Sequence, residues 1–450
     1  MRLWYNTPIK SYLSIIKLVW PLALGMVNNA VMQFFDRAFL SSCSLEALEA
    51  VLPAGMLMWI FAGFFQSVIG YSSVFVGQFH GAGDAAKCVA SYRAALVIAV
   101  LSGIASVPLL PVGGWLLSLS APSLEVLGLE RTYYWITMSG AIFIYGHIAA
   151  SSYFTGRSKT RIVFWVNLAG NVLNIVLDAL FIFALELGMA GAAIATVVAM
   201  GAQFAALAVM AERDVLIEAQ SSVRVPLREL FAIGGRMLRF GVPSGFYTML
   251  NMVSFTIFVF VTSGVGGLEL AVSNACFAVN YLIFAPMEGF SIGASTLVAQ
   301  AKGRGDPEAA ARDAVRVLIL GVGFTIAMSA LALAFHRPIL SIFAAKAGAA
   351  SGDFHALGAV LFMLMAAWQI FDAADVILSG ALKGAGDTTF VLWWMLANSF
   401  GLWMPLVWAV SKWYNTMPAL WGSMIVYVII ICVGTAIRWC RGGWKKIRLV

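Results

Sequence analysis

FVGQFHGAGD, residues Phe75–Asp84, returns 222 positions later as LVAQAKGRGD, residues Leu297–Asp306, with five of ten positions identical. The same displacement carries Pro21 onto Pro243 and Asn29 onto Asn251. A second echo, TGRSKT at Thr155–Thr160 against KGAGDT at Lys383–Thr388, is displaced by 228. Both offsets lie close to half of the 450 residues, which points to an ancestral duplication. The stretch itself reads as a tight helix–loop turn, with an aspartate near the next helix's N-terminus. GxGD at Gly81–Asp84 shares part of a nucleotide fingerprint, but no strand precedes it and it sits at a span end.

The chain around these turns belongs in a bilayer. It is 61% hydrophobic and 11% charged, with a mean hydropathy of +0.90, whereas a soluble domain carries about 25% charged residues. Twelve apolar runs, from Leu13–Leu40 to Ala419–Ile437, approach or exceed the ~20 residues that span hydrocarbon. The fourth is Tyr133–Phe154. None alternates with period two, which argues against a barrel and for an all-α membrane protein. Six spans per half make the halves parallel repeats, related by a pseudo-two-fold axis along the membrane normal. The expected domains are an N-terminal lobe (1–210), a cytoplasmic linker (211–239), and a C-terminal lobe with a basic tail (240–450). With both termini cytoplasmic, the outer loops hold only Arg37, Arg131, Arg337, Lys346 and Lys412 of the 28 Lys and Arg, as the positive-inside rule requires. The net charge of +7 then reports topology and contact with anionic lipid, not nucleic acid. The five cysteines are scattered and show no CxxC, so they outline neither a disulfide framework nor a metal site. No HExxH, GxSxG or phosphate loop appears, which leaves no enzyme constellation and no cofactor.

Five carboxylates fall inside the runs: Asp36, Asp178, Glu288, Asp372 and Asp375. Five ionised carboxylates facing lipid would cost on the order of 15 kcal/mol, comparable with a whole protein's stability. They must line an interior or carry a proton there, or else hydrogen-bond helices together. Asn174 and Asp178 are four apart and share a helix face, with Asn171 one turn back. Asp372 and Asp375 are three apart, with Gln369 beside them. Asp36 is either half of an interfacial pair with Arg37 or points inward, since helix neighbours diverge by about 100°. Pro21 kinks the first span, either as a static bend or as a hinge softened by Gly25, Asn28 and Asn29. His147, in the fourth run, reads as a satisfied core histidine. Duplicated halves with buried acids suggest a secondary transporter, with its substrate path where the repeats meet.

The chain resembles the multidrug and toxic compound extrusion (MATE) family of the flippase-like exporters, close to its NorM and DinF branches, over about residues 13–437. The likeness rests on Pro21 with Asp36, LPAG at Leu52–Gly55, GQFHGAGD, NVLNIVLDALFIF at Asn171–Phe183, LGMAGAAIAT at Leu187–Thr196, and QIFDAADVILSGALKGAGDT at Gln369–Thr388. It implies an inner-membrane antiporter, acting as a monomer, that exports amphipathic, cationic organic compounds in exchange for H+ or Na+. It also implies that Asp36, Asn174, Asp178 and Thr196 hold the coupling ion, with Na+ as one occupant. A second-lobe cation site in NorM-like members uses a glutamate of the seventh helix and an aspartate of the tenth. Asp372 matches the aspartate, but the glutamate falls on Asn251, which cannot titrate; Asp375 and Glu288 are the other acidic candidates of that lobe. The alternative within the same superfamily is a lipid-linked oligosaccharide or lipid flippase, whose basic cavity contrasts with the acidic residues here.

Overall fold

The computed structural model describes residues 9–119, 123–219, 225–347 and 351–449, and among them there is no strand. α1 (Ile9–Cys43) is the first span. α2 (Leu45–Gly70) and α3 (Ser72–Gly81) make the second. α4 (Ala85–Ser106) is the third, followed by the short α5 (Leu109–Ser118). α6 (Leu124–Ser139) and α7 (Ala141–Gly156) make the fourth, and α8 (Thr160–Ala179) the fifth. α9 (Gly188–Ala219) completes the first half. The second half holds α10 (Leu227–Thr262), α11 (Gly267–Gly303), α12 (Pro307–Ala334), α13 (His336–Ala347) and α14 (Ser351–Ala385). α15 (Thr388–Asn398), α16 (Met404–Trp413) and α17 (Met417–Arg441) close it.

Eleven of the described segments are single helices, or nearly continuous pairs, long and apolar enough to cross a membrane. The expected fourth run departs from this. It consists of two sixteen-residue helices that begin at Leu124 and meet at Gly140. A Cβ at Gly140 would overlap Val197 of α9, so the glycine both interrupts the helix and lets α9 approach. The expected linker is largely helical, because α9 and α10 run into it from both sides. Residues 220–224 of that linker, and the side chain of Lys346, lie outside the described residues.

The duplicated turn occurs four times. In each, the penultimate residue takes a left-handed backbone: Gly83 (φ 76°), Ser158 (φ 61°), Gly305 (φ 76°) and Gly386 (φ 99°). The next residue's N–H reaches back five positions, Asp84 to Phe79 at 2.9 Å, Lys159 to Phe154 at 2.9 Å, Asp306 to Ala301 at 3.0 Å and Asp387 to Leu382 at 2.9 Å. These are Schellman closures, which satisfy carbonyls that a helix end leaves unpaired. Asp84 then caps α4 by accepting from Lys87 N at 3.0 Å.

Contacts divide the chain into two compact units. One holds Leu24–Met249 and Ala299–Asp306; the other holds α1 up to Ala23, Leu250–Val298 and Pro307–Arg448. α1 and α10 therefore each change unit part-way, just beyond Pro21 and Pro243. Within the first unit, the early part of α10 lies on α2, where Ser67 Oγ sits 3.0 Å from Ser244 Oγ and accepts from Thr248 Oγ1 at 3.1 Å. Within the second, Gly289 and Gly293 of α11 admit Ala23 and Val19 of α1. Small residues spaced four apart allow such close helix approach without a large apolar driving force. The first unit also contains a reciprocal contact between the two copies of the duplicated stretch. A Cβ at Gly81 would overlap the Gln300 carbonyl, and one at Gly303 would overlap that of Gln78.

Candidate functional site

One face of α8 carries the polar residues. Asn167, Asn171, Asn174 and Asp178 follow at spacings of four, three and four, so they stack along a single stripe. Each rung meets a neighbouring helix. Asn167 Oδ1 lies 2.8 Å from His147 Nε2 of α7. Asn171 Nδ2 donates to Asn29 Oδ1 of α1 at 2.8 Å. Asn174 is best oriented with its amide nitrogen donating to Asp36 Oδ1 at 3.1 Å and its oxygen accepting from Thr196 N at 3.3 Å. Asp178, with no exposed surface, reaches the Asp36 carboxyl through a side-chain hydrogen bond.

Asp36 thus points inward, while Arg37 is exposed and within electrostatic reach of it. Two carboxyl groups within hydrogen-bond reach are compatible only with a proton or a cation between them, because two bare carboxylates would repel at short range. The other oxygen of Asp178, Oδ1, is buried without a hydrogen-bond partner. An acceptor left so costs about 1–3 kcal/mol, which a small cation or a proton would relieve. The geometry brings together all four N-terminal residues expected from the sequence. Thr196 contributes its backbone N–H, since its hydroxyl donates to Ala192 O at 3.0 Å.

Immediately beyond Asp178 the helix widens into a π turn, Leu180–Ala184. Such turns shift the register of side chains by one residue and often occur at functional sites. Tyr133 of α6 stands within electrostatic reach of Asp36 and Asp178, a neighbour that sequence spacing did not reveal.

The acidic candidates of the second unit are arranged differently. Asp375 is buried and hydrogen-bonds Thr435 of α17, leaving its Oδ1 unpaired. Asp372 is half-buried and lies within electrostatic reach of Asp375 and Glu288. Glu288 has an exposed side chain and lies within electrostatic reach of Lys383 and Asp372. Lys383, eight residues past Asp375 on α14, lies within electrostatic reach of Glu288 and Asp375 and supplies a countercharge that the sequence reading missed. Gln369 is tied off by Asn280 and Ser329, at 2.8 and 2.7 Å. Asn251 is exposed. His147 is hydrogen-bonded and buried, as a core histidine should be.

A helical membrane protein with duplicated halves and a buried carboxyl pair in its first half defines the class. The MatE family model matches residues 21–180 and 243–409, one copy in each half, and the chain belongs to that family. It is a membrane transporter and not an enzyme, and transporters of this family need no cofactor. A probable multidrug resistance protein NorM of Thermotoga maritima is 23% identical over 447 residues, covering 96% of this chain and 93% of the relative. Another of Rhizobium meliloti is 24% identical over 360 residues, covering 78% and 75%. Among solved structures, the MATE transporter VcmN of Vibrio cholerae superimposes with a TM-score of 0.83 at 15% identity, over 98% of both chains. A MOP superfamily transporter from Pyrococcus furiosus gives 0.82 at 19% identity, over 97% of both. At such identities the structural likeness speaks for the fold alone.

Proposed function

We propose that this protein is a secondary antiporter that expels amphipathic organic compounds, cationic ones foremost, in exchange for entering H+ or Na+. The observation that carries the reading is the Asp36–Asp178 contact, completed by Asn174 and the Thr196 N–H. The multidrug resistance names of the NorM relatives support the substrate class. An ion entering this pair neutralises charge that otherwise forces the two carboxyls apart. Occupancy therefore favours the arrangement in which α1 packs against α8. The empty pair favours one in which they separate. A ligand shifts such an equilibrium only by its differential affinity for the two arrangements, so cation and substrate exchange if each prefers a different one.

Pro21 is the proposed pivot, because α1 changes unit within three residues of it. Under this reading the chain works as a monomer in the cytoplasmic membrane, with both termini and the basic tail inside and against anionic lipid. The six-helix lobes 1–210 and 240–450 are its functional halves. Asp372, Asp375 and Glu288 make a secondary acidic region. The test is efflux of ethidium from proteoliposomes under separately imposed Na+ and H+ gradients, comparing wild type with Asp178→Asn. Gradient-driven efflux that disappears in the variant supports the reading, and an unaltered rate contradicts it.

A further inference from the structure

α1 meets the polar face of α8 twice. Asn29 and Asp36 are seven residues apart on α1, and Asn171 and Asp178 are seven apart on α8. The two contacts, Asn29–Asn171 and Asp36–Asp178, therefore share one register and lie two turns apart along both helices. The amide contact is not a chance pairing of surface groups. Asn171 is 1% exposed and is itself held from α9, where Gln203, 2% exposed, donates from Nε2 to Asn171 Oδ1 at 3.2 Å. Gly170 leaves the space this needs, since a Cβ there would overlap the Gln203 amide. Gln203, Asn171 and Asn29 thus form a chain across three spans that ends on the moving partner, α1.

We propose that Asn171 is a positioning residue: by holding Asn29 it fixes the register of α1 on α8 and so sets Asp36 opposite Asp178. A slip of one residue would turn Asp36 by about 100° and carry it about 1.5 Å along the axis, enough to unmake a hydrogen-bonded pair. Slippage would also strand buried amides, and each such loss costs about 1–3 kcal/mol. Asn174 cannot take over this role, because its amide is committed to the pair itself. The groups facing the pair are Tyr133 of α6, Arg37 of α1 and Asn174 of α8, and Asn171 contacts none of them directly in the bonds it makes.

The inference rests on the proposed exchange of a cation at Asp36–Asp178, and the experiment separates the two. Ethidium efflux from proteoliposomes is measured against the concentration of the driving cation for wild type, Asn171→Ala, Asn29→Ala, the double variant and Asp178→Asn. Positioning predicts that each single alanine raises the half-saturating cation concentration about tenfold, with the rate at saturation kept within about twofold. Because both remove the same bond, the double variant should shift no further than the larger single. Should Asn171→Ala fail to fold, Gln203→Ala must give a shift in the same direction. Unchanged cation dependence in Asn29→Ala, or additive shifts, overturns the inference while Asp178→Asn remains uncoupled. Retained coupling in Asp178→Asn would instead overturn the functional reading beneath it.

Discussion

The fifth and eleventh spans are repeat partners that bury opposite chemistry along matching stripes, although their π turns fall at different points along the helix. Counted from Thr160 and Thr388, the first residues of α8 and α15, both helices bury one stripe and both contain a π turn, at Leu180–Ala184 and Ser399–Trp403. The buried stripe of α8 holds Asn171, Asn174 and Asp178, with the half-buried Asn167 along it. In the eleventh span, allowing one residue for its mid-helix π turn, the matching stripe holds Met395, Ser399, Trp403 and Val407. The first-span partner changes with it. Asp36 corresponds to Phe258, and Phe258 stacks on Trp403 at 5.2 Å between centroids, with Tyr427 beyond at 4.6 Å. Where the first half places two carboxyls in contact, the second places an aromatic column. The tenth span reverses the pattern, since Asp375 stands where the fourth has His147. Duplication preserved the repeat, and the halves then diverged: one joint buries a carboxyl pair, the proposed ion site, and the other packs aromatic rings.

The largest expected effects test this division from both sides. Asp178→Asn should abolish gradient-driven transport and leave the melting temperature of purified protein nearly unchanged, because shape and hydrogen-bonding capacity persist. Trp403→Ala should do the reverse, lowering stability by about 3–5 kcal/mol through the cavity it leaves, with coupling intact in whatever protein folds. Thermal melts paired with efflux rates would break the comparison if both variants lost the same property.

A smaller effect is expected from Asp375→Asn. Its partner Thr435 and the Lys383 charge give it a structural setting, so efflux should fall by less than tenfold while still responding to the imposed gradient. A complete loss of coupling would place a second ion in the second half and erase the distinction.

The duplicated turns carry a smaller contrast. Gly303→Ala would drive a methyl into the Gln78 carbonyl, and overpacking of this kind costs about 1–3 kcal/mol. Gly323→Ala, on α12 with open space around it, should instead stabilise by about 0.5–1 kcal/mol through helix propensity. Equal melting temperatures for the two would refute the close contact.

The smallest effect is at Asp84. Burial raises its carboxyl, but the hydrogen bonds and charge of Lys87 outweigh this and hold it below its ordinary range. A lowered carboxyl contributes stability that is complete above the ordinary carboxylate range and is lost as pH falls through the lowered value. Asp84→Ala should therefore cost about 1 kcal/mol at neutral pH, the usual worth of a cap, and less in acid. Melting curves of both proteins between pH 3 and 7 should draw closer toward the acid end.

How far the sequence could be read follows from the range of the forces involved. Three of the four Schellman turns carry a left-handed glycine followed by an aspartate, a local signature that can be read along the chain, whereas the fourth, at Ser158–Lys159, lacks it. The site residues on α8 were legible because their spacing fixes a common face and a buried carboxylate is costly anywhere in hydrocarbon. The resemblance added Thr196, although its backbone rather than its hydroxyl meets Asn174. The break at Gly140 was not legible, since it depends on Val197 pressing from α9. Neither was the change of unit inside α1 and α10, which arises from seams with α11 and α2 more than 170 residues away in sequence. Lys383, Tyr133 and Gln203 were missed for the same reason, as each reaches its partners across helices rather than along one.

In the proposed cycle, the Asp36–Asp178 pair holds the ion that substrate displaces. The most direct measurement is release of that ion from purified protein in weakly buffered detergent on addition of saturating ethidium. A pH indicator would follow H+, and radioactive sodium would follow Na+. About one ion per protein should leave wild type and Asp375→Asn, and none should leave Asp178→Asn. Release that persists undiminished in Asp178→Asn would contradict the proposed cycle.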